Sequence, residues 1–160
     1  MAILHLRPGI RPGIGDGYRR LSPPIDLAEW RPVVRIDASL ATSFARDLLQ
    51  QGLPLGDSRT GLALIVTGAT VTCIHDAVAQ EMGLPLVDVA TMSSATHEDY
   101  ECNVYAVKFE IPGTQFIFES GTVFGANLAS SGLLMLIGRD NLCQCCLNYN
   151  GVDGSFTLSM

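Results

Sequence analysis

From residue 32 onward the apolar positions come in short runs separated by turn residues. Val33-Val34-Arg35-Ile36-Asp37 reads as a strand. Over 40–51, Phe44, Ala45, Leu48 and Leu49 fall at helical spacing, and Gly52 and Pro54 end the pattern. Gly61-Leu62-Ala63-Leu64-Ile65-Val66 is continuously apolar, which predicts a strand buried on both faces, leaving through Thr67-Gly68-Ala69. Residues 73–82 set Ile74, Ala77, Val78 and Met82 on one side of a short helix, with Gly83 where a C-cap glycine is expected. Residues 86–92 form the next strand, and the small polar stretch 93–99 makes a hairpin tip or loop. Strands follow at 103–111 and 115–119, joined by a Pro112-Gly113 turn, then a flexible segment at 121–126. Residues 133–137 are a second fully apolar strand, Gly138-Arg139-Asp140 opens a short helix, and 147–149 with 155–158 close a hairpin. The pattern is that of an all-β domain with two or three short helices, a small barrel or sandwich.

Upstream of this the signal changes. Arg7-Pro8-Gly9-Ile10 repeats at once as Arg11-Pro12-Gly13-Ile14, and Gly15, Gly17, Pro23 and Pro24 block regular structure. Residues 1–27 are expected to be a tail, disordered or packed as an arm on a partner, and 28–160 to be the one domain. A length of 160 residues suits that division, and the apolar content, nearly half the chain, suffices for a single core.

The formal charge of -6 and the lack of a basic stripe argue against nucleic acid as a partner. No apolar run approaches the ~20 residues needed to span a bilayer, so no membrane partner is expected. Residues 1–12 lack the basic and apolar regions of a secretory signal, which makes the cytoplasm the default location. The five cysteines, Cys73, Cys102, Cys143, Cys145 and Cys146, are odd in number and unevenly spaced, unlike a disulfide framework or a zinc knuckle. They are expected to be buried or half-buried small apolar residues. His5, His75 and His97 are scattered, and neither a zinc signature, a serine-nucleophile elbow nor a phosphate-binding loop is present. No metal or other cofactor is expected.

Two segments carry chemistry: Ala63-Leu64-Ile65-Val66-Thr67-Gly68-Ala69-Thr70 and, downstream, Leu134-Met135-Leu136-Ile137-Gly138-Arg139-Asp140. Together they resemble the hallmark of retropepsin-like aspartic proteases, in which an apolar strand runs into Asp-Thr-Gly-Ala-Ser/Thr and a later apolar strand ends in Gly-Arg-Asp/Asn at a short helix. The likeness covers about 32–160 and is to the bacterial single-lobe members. It implies an acid-protease barrel with one lobe per chain, a homodimer, and an extended peptide or protein substrate held under a hairpin flap. The short apolar strand 155–158, whose bare edge would be a liability, also favours interleaving with a second copy.

The resemblance breaks where the chemistry matters, because the catalytic aspartate position is Val66. In the family, one carboxylate from each lobe shares a single proton; the ionised one activates a water and the protonated one supports the carbonyl oxygen. Valine does neither, and Asp76, the nearest acid downstream, is a poor substitute on the following helix. Val66 is natural in a pseudoprotease, substituted in this chain, or paired with a different Asp-bearing lobe. By resemblance, Thr67 braces the two active-site loops across the two-fold axis, and Gly68 permits the tight turn and close substrate approach. Arg139 would anchor the helix to the loop bearing Thr67, and Gly138 and Asp140 would be structural. Ala69 and Thr70, with the flap residues Ser93, Ser94 and Ala95, would contact substrate.

The expected function is thus that of a retropepsin-like endopeptidase domain, inactive as written. A catalytically dead peptide-binding or dimerisation module is the alternative, and a small β-barrel with an accidental motif match is the third reading.

Overall fold

The computed structural model describes residues 3–6, 32–94 and 97–160. The chain is mostly β, with ten strands and three short α-helices in these residues. In chain order the elements are β1 (Ile3–Leu6), β2 (Val33–Leu40), α1 (Thr42–Gln50), β3 (Arg59–Ile65), β4 (Cys73–His75), α2 (Asp76–Glu81), β5 (Leu86–Ser94), β6 (His97–Glu110), β7 (Ile117–Ala126), β8 (Met135–Ile137), α3 (Arg139–Leu142), β9 (Cys146–Tyr149) and β10 (Phe156–Ser159).

Six strands close into a barrel in the order β2-β3-β8-β4-β7-β6, with β2 pairing back onto β6. β5 adds to the free side of β6 as the first arm of a long hairpin. A separate sheet has the order β1-β10-β9. Inside the barrel, Ile36, Ala38, Ala63, Ile74, Phe109 and Met135 are completely buried, and Phe109 stacks on Phe118 with ring centroids 4.9 Å apart. α1 lies over the core through Phe44, Ala45 and Leu48, although none of its residues is fully buried. Phe109→Ala, which removes a ring with no solvent exposure, is expected to lower stability by about 3–5 kcal/mol in urea unfolding.

Five expectations from the pattern need correction. Residues 73–75 form strand β4 and not the start of a helix, because Cys73, Ile74 and His75 pair with β7 on one side and Cys73 and Ile74 with β8 on the other. Pairing on both sides overrides the helical spacing of the apolar residues, and α2 begins only at Asp76. The segment at 121–126 is the second half of the continuous strand β7 and not a flexible stretch; it is held by β6 and β4. β3 is buried on one face only: Ala63 and Ile65 point into the core, while Leu62 is 45% exposed. β10 is not a bare edge, since β1 and β9 cover both its sides within the same chain. Lastly, 3–6 is a paired strand of the fold and not part of a loose tail, while residues 7–31 lie outside the described residues.

Candidate functional site

β3 and β4 flank β8, so the connection between them, residues 66–72, must cross over the C-terminal end of β8. That topology brings the two sequence motifs together. The Val66 N–H donates to Ile137 O at 2.9 Å, and a tight turn returns the Ala69 N–H to Val66 O at 3.1 Å. The opening of α3 then meets the loop from below: the N–H groups of Arg139 and Asp140 donate to Ala69 O and Thr70 O at 3.0 and 3.2 Å. The Arg139 guanidinium donates to Thr70 Oγ1 at 3.0 Å, which is the helix-to-loop tie expected for it. Gly138 is needed here for closeness, because a Cβ on it would lie 2.5 Å from the Val71 carbonyl group.

The centre of this junction is Thr72, a fully buried residue that sequence reasoning did not single out. Its hydroxyl donates to Asp140 Oδ1 at 2.7 Å and accepts from the Gly138 N–H at 3.0 Å and from Asn141 Nδ2 at 2.7 Å. The Thr72 N–H donates to Asp140 Oδ2 at 2.9 Å. Asp140 is therefore a clasp between helix and loop, with both oxygens engaged. A threonine in a polar stretch gives no periodic signal, so only the strand crossing reveals its role.

Val66 itself is half-buried at the rim, beside the exposed Thr67 and Gly68. It continues the outward face of β3, two residues beyond Leu64. On that face the registers align one row of apolar side chains across the barrel wall: Val33, Leu64, Leu136, Cys73, Phe124 and Val104. The outside of a barrel normally alternates to polar residues. Within this row Val33, Leu64, Leu136 and Phe124 are half-buried, whereas Cys73 and Val104 are 6% and 3% exposed, so the row is apolar throughout but covered at those two positions.

The β5–β6 hairpin carries Val104 at the end of this row. Ser94 pairs with His97 in that hairpin; Ser93 is exposed, and Ala95 with Thr96 lies outside the described residues. Cys102 of the hairpin lies near Cys73 of the row. Burial, then the neighbouring Cys102 and Asp140 charges, push the Cys73 thiol up to about 11. At pH 8 only about one part in a thousand of such a thiol is the reactive thiolate. Cys143 and Cys146, by contrast, are exposed, which corrects the expectation that they pack inside. They turn outward because they sit at the end of α3 and the start of β9. A thiol-reactive disulfide reagent at pH 8 should label Cys143 and Cys146 within minutes and Cys73 only on unfolding; rapid labelling of Cys73 would refute its enclosure.

Asp76 is held away from the 66–72 loop by its own hydrogen bonds. Its Oδ1 accepts from Tyr105 OH at 2.8 Å and Asn103 Nδ2 at 2.9 Å, and its Oδ2 from Gln80 Nε2 at 2.8 Å. These bonds tie α2 to the root of the hairpin. Among the described residues, no cluster of three or more His, Cys, Asp or Glu is placed to hold a metal, and no helix is long and apolar enough to cross a membrane. Neither the known protein-family models nor the curated proteins give a match to this chain, so a functional reading rests on the geometry of the loop, the clasp and the apolar row.

Proposed function

We propose that this chain is one lobe of a retropepsin-like aspartic endopeptidase fold that acts as a homodimer and, with Val66 in the carboxylate position, binds extended peptide without hydrolysing it. The observation that carries the reading is the crossing of residues 66–72 over the end of β8, pinned by Gly138, Arg139 and Asp140, with the half-buried Val66 beside an apolar row on the barrel wall. Two-carboxylate hydrolysis needs an ionised group to take a proton from water and a protonated one to give it back. An isopropyl group can do neither. It does extend the apolar row begun by Leu64, which favours retention of peptide over its cleavage.

Extended substrate is held by backbone hydrogen bonds and by pockets for alternate side chains. Thr67 and Gly68, exposed at the loop tip, are the groups that would face a second copy and the peptide backbone. The test is incubation of the chain and of Val66→Asp with an unstructured peptide library, read by mass spectrometry. Intact peptides with the first and pepstatin-sensitive fragments with the second support the reading. Pepstatin-sensitive cleavage by the unaltered chain at a comparable rate overturns the inactivity. Absence of cleavage by a folded, dimeric Val66→Asp variant overturns the protease ancestry.

A further inference from the structure

The barrel has no open side, but the hairpin attached to it does. β2 pairs with both β3 and β6, whereas β5 hydrogen-bonds only to β6. Its outer edge therefore carries no strand among the described residues. Unpaired edges are normally blunted by shortness, proline or bulges. β5 is nine residues long; Pro85 precedes it, and its register with β6 breaks only between Leu86 and Asp88 and between Met92 and Ser94. Between those breaks, residues 88–92 pair regularly. Along the edge Leu86, Val87 and Val89 are 57%, 40% and 48% exposed, while the Asp88 carboxylate accepts from the Val89 N–H at 2.8 Å and would have to yield that donor to an added strand.

The electrostatics around this edge have one sign. Between Arg59 and Lys108 the chain contains no lysine or arginine. Asp88, Asp99 and Glu101 are exposed on the hairpin. Beside β5 lies an open hollow of about 430 Å³, lined by Asp76, Val89, Glu101, Asn103 and the end of β7 at Gly125 to Asn127. Val89 and Thr91 share the hollow's face with Glu101 and Asn103, their partners across β6. Ala90 and Met92 occupy the opposite face.

We propose that the outer edge of β5 takes up an extended segment of another polypeptide as an added strand, with lysine or arginine on the hollow's face and apolar residues on the other. A basic side chain from the added strand lays its aliphatic stem along Val89 and its charge toward Glu101 and Asp76. Apolar residues alternate onto the side of Ala90 and Met92. Backbone hydrogen bonds to residues 88–92 supply the register, as in other cases of strand addition. An acidic segment is disfavoured by repulsion from Asp76, Asp88, Asp99 and Glu101. This inference is independent of the hydrolytic reading, since it uses no residue of the 66–72 loop.

The experiment is fluorescence anisotropy with the labelled peptide KVKVKVK, its acidic counterpart EVEVEVE, and KVKVKVK N-methylated at alternate residues. The basic peptide should bind at least tenfold more tightly than the other two, and salt should weaken it. Val89→Lys and Glu101→Lys should each reduce binding at least tenfold while the urea unfolding midpoint stays unchanged. Hydrogen exchange with the bound peptide should slow at 88–92. Equal binding of the three peptides overturns the proposal, as does protection confined to 64–71. So does a peptide-free dimer that Val89→Lys dissociates, which would make a second copy the occupant.

Discussion

Val66→Asp, on the proposed reading, should give the chain acid-protease activity, with a gain on the order of 10²–10⁴ or more in cleavage rate. The loop that would carry it is fixed by the Val66 N–H to Ile137 O bond and by the Asp140 clasp, so the substitution adds a functional group without rebuilding a scaffold. Residue 66 is half-buried at a rim, and an aspartate there need not lie in the core. In a dimer, two such groups would face each other and share a proton, which raises the pKa of one of them. Activity should then peak at acidic pH and fall as the second carboxyl ionises. Dimerisation of the variant should weaken over the same interval, because a carboxyl with a raised pKa favours the assembled state only while it is protonated. Cleavage rate should rise with the square of protein concentration at dilution. A first-order dependence, or activity that increases toward alkaline pH, would speak against a site shared by two copies.

The second large effect is on folding. Thr72→Val keeps the shape of a buried side chain but removes a hydroxyl that serves three partners at once. The Gly138 N–H and the amide of Asn141, itself 3% exposed, lose their acceptor. Each buried donor left unpaired costs about 1–3 kcal/mol, so the variant should be less stable by about 2–5 kcal/mol. Thr72→Ser, which retains the hydroxyl, should cost about 1 kcal/mol, the scale of a single buried methyl. Chemical denaturation of the pair measures the difference. Equal midpoints for the two variants would show that the hydrogen bonds at Thr72 contribute little.

Much of the barrel was legible from local pattern because its apolar runs are short and its breaks are marked by residues with few alternatives. Gly83 has φ +69 and ends α2, and Gly113 has φ +75 in the turn between β6 and β7. The Gly138-Arg139-Asp140 helix start was readable for the same reason. What the pattern missed depends on partners distant in sequence. β4 is three residues long and looks helical until β7 and β8 are placed beside it. Gly121 and Gly125 made the second half of β7 look loose. Gly125 sits on the strand because Asp76 packs against it and leaves no room for a Cβ. Thr72 is a hub only because β3 and β4 lie on opposite sides of β8. For the site, the two motif segments stood out in the sequence and the fold brings them into contact, whereas the apolar row beside them emerges only from the cross-strand registers.

The order of the strands has a temporal corollary. The 66–72 segment takes its shape from β8 and α3, which are made some seventy residues later. While a nascent chain ends short of residue 133, Thr72 has no clasp, Val66 has no anchor, and β3 and β4 have nothing between them. Closure over so long a separation is slow compared with local turns and helices. The rim around Val66 is therefore among the last parts of the molecule to take form.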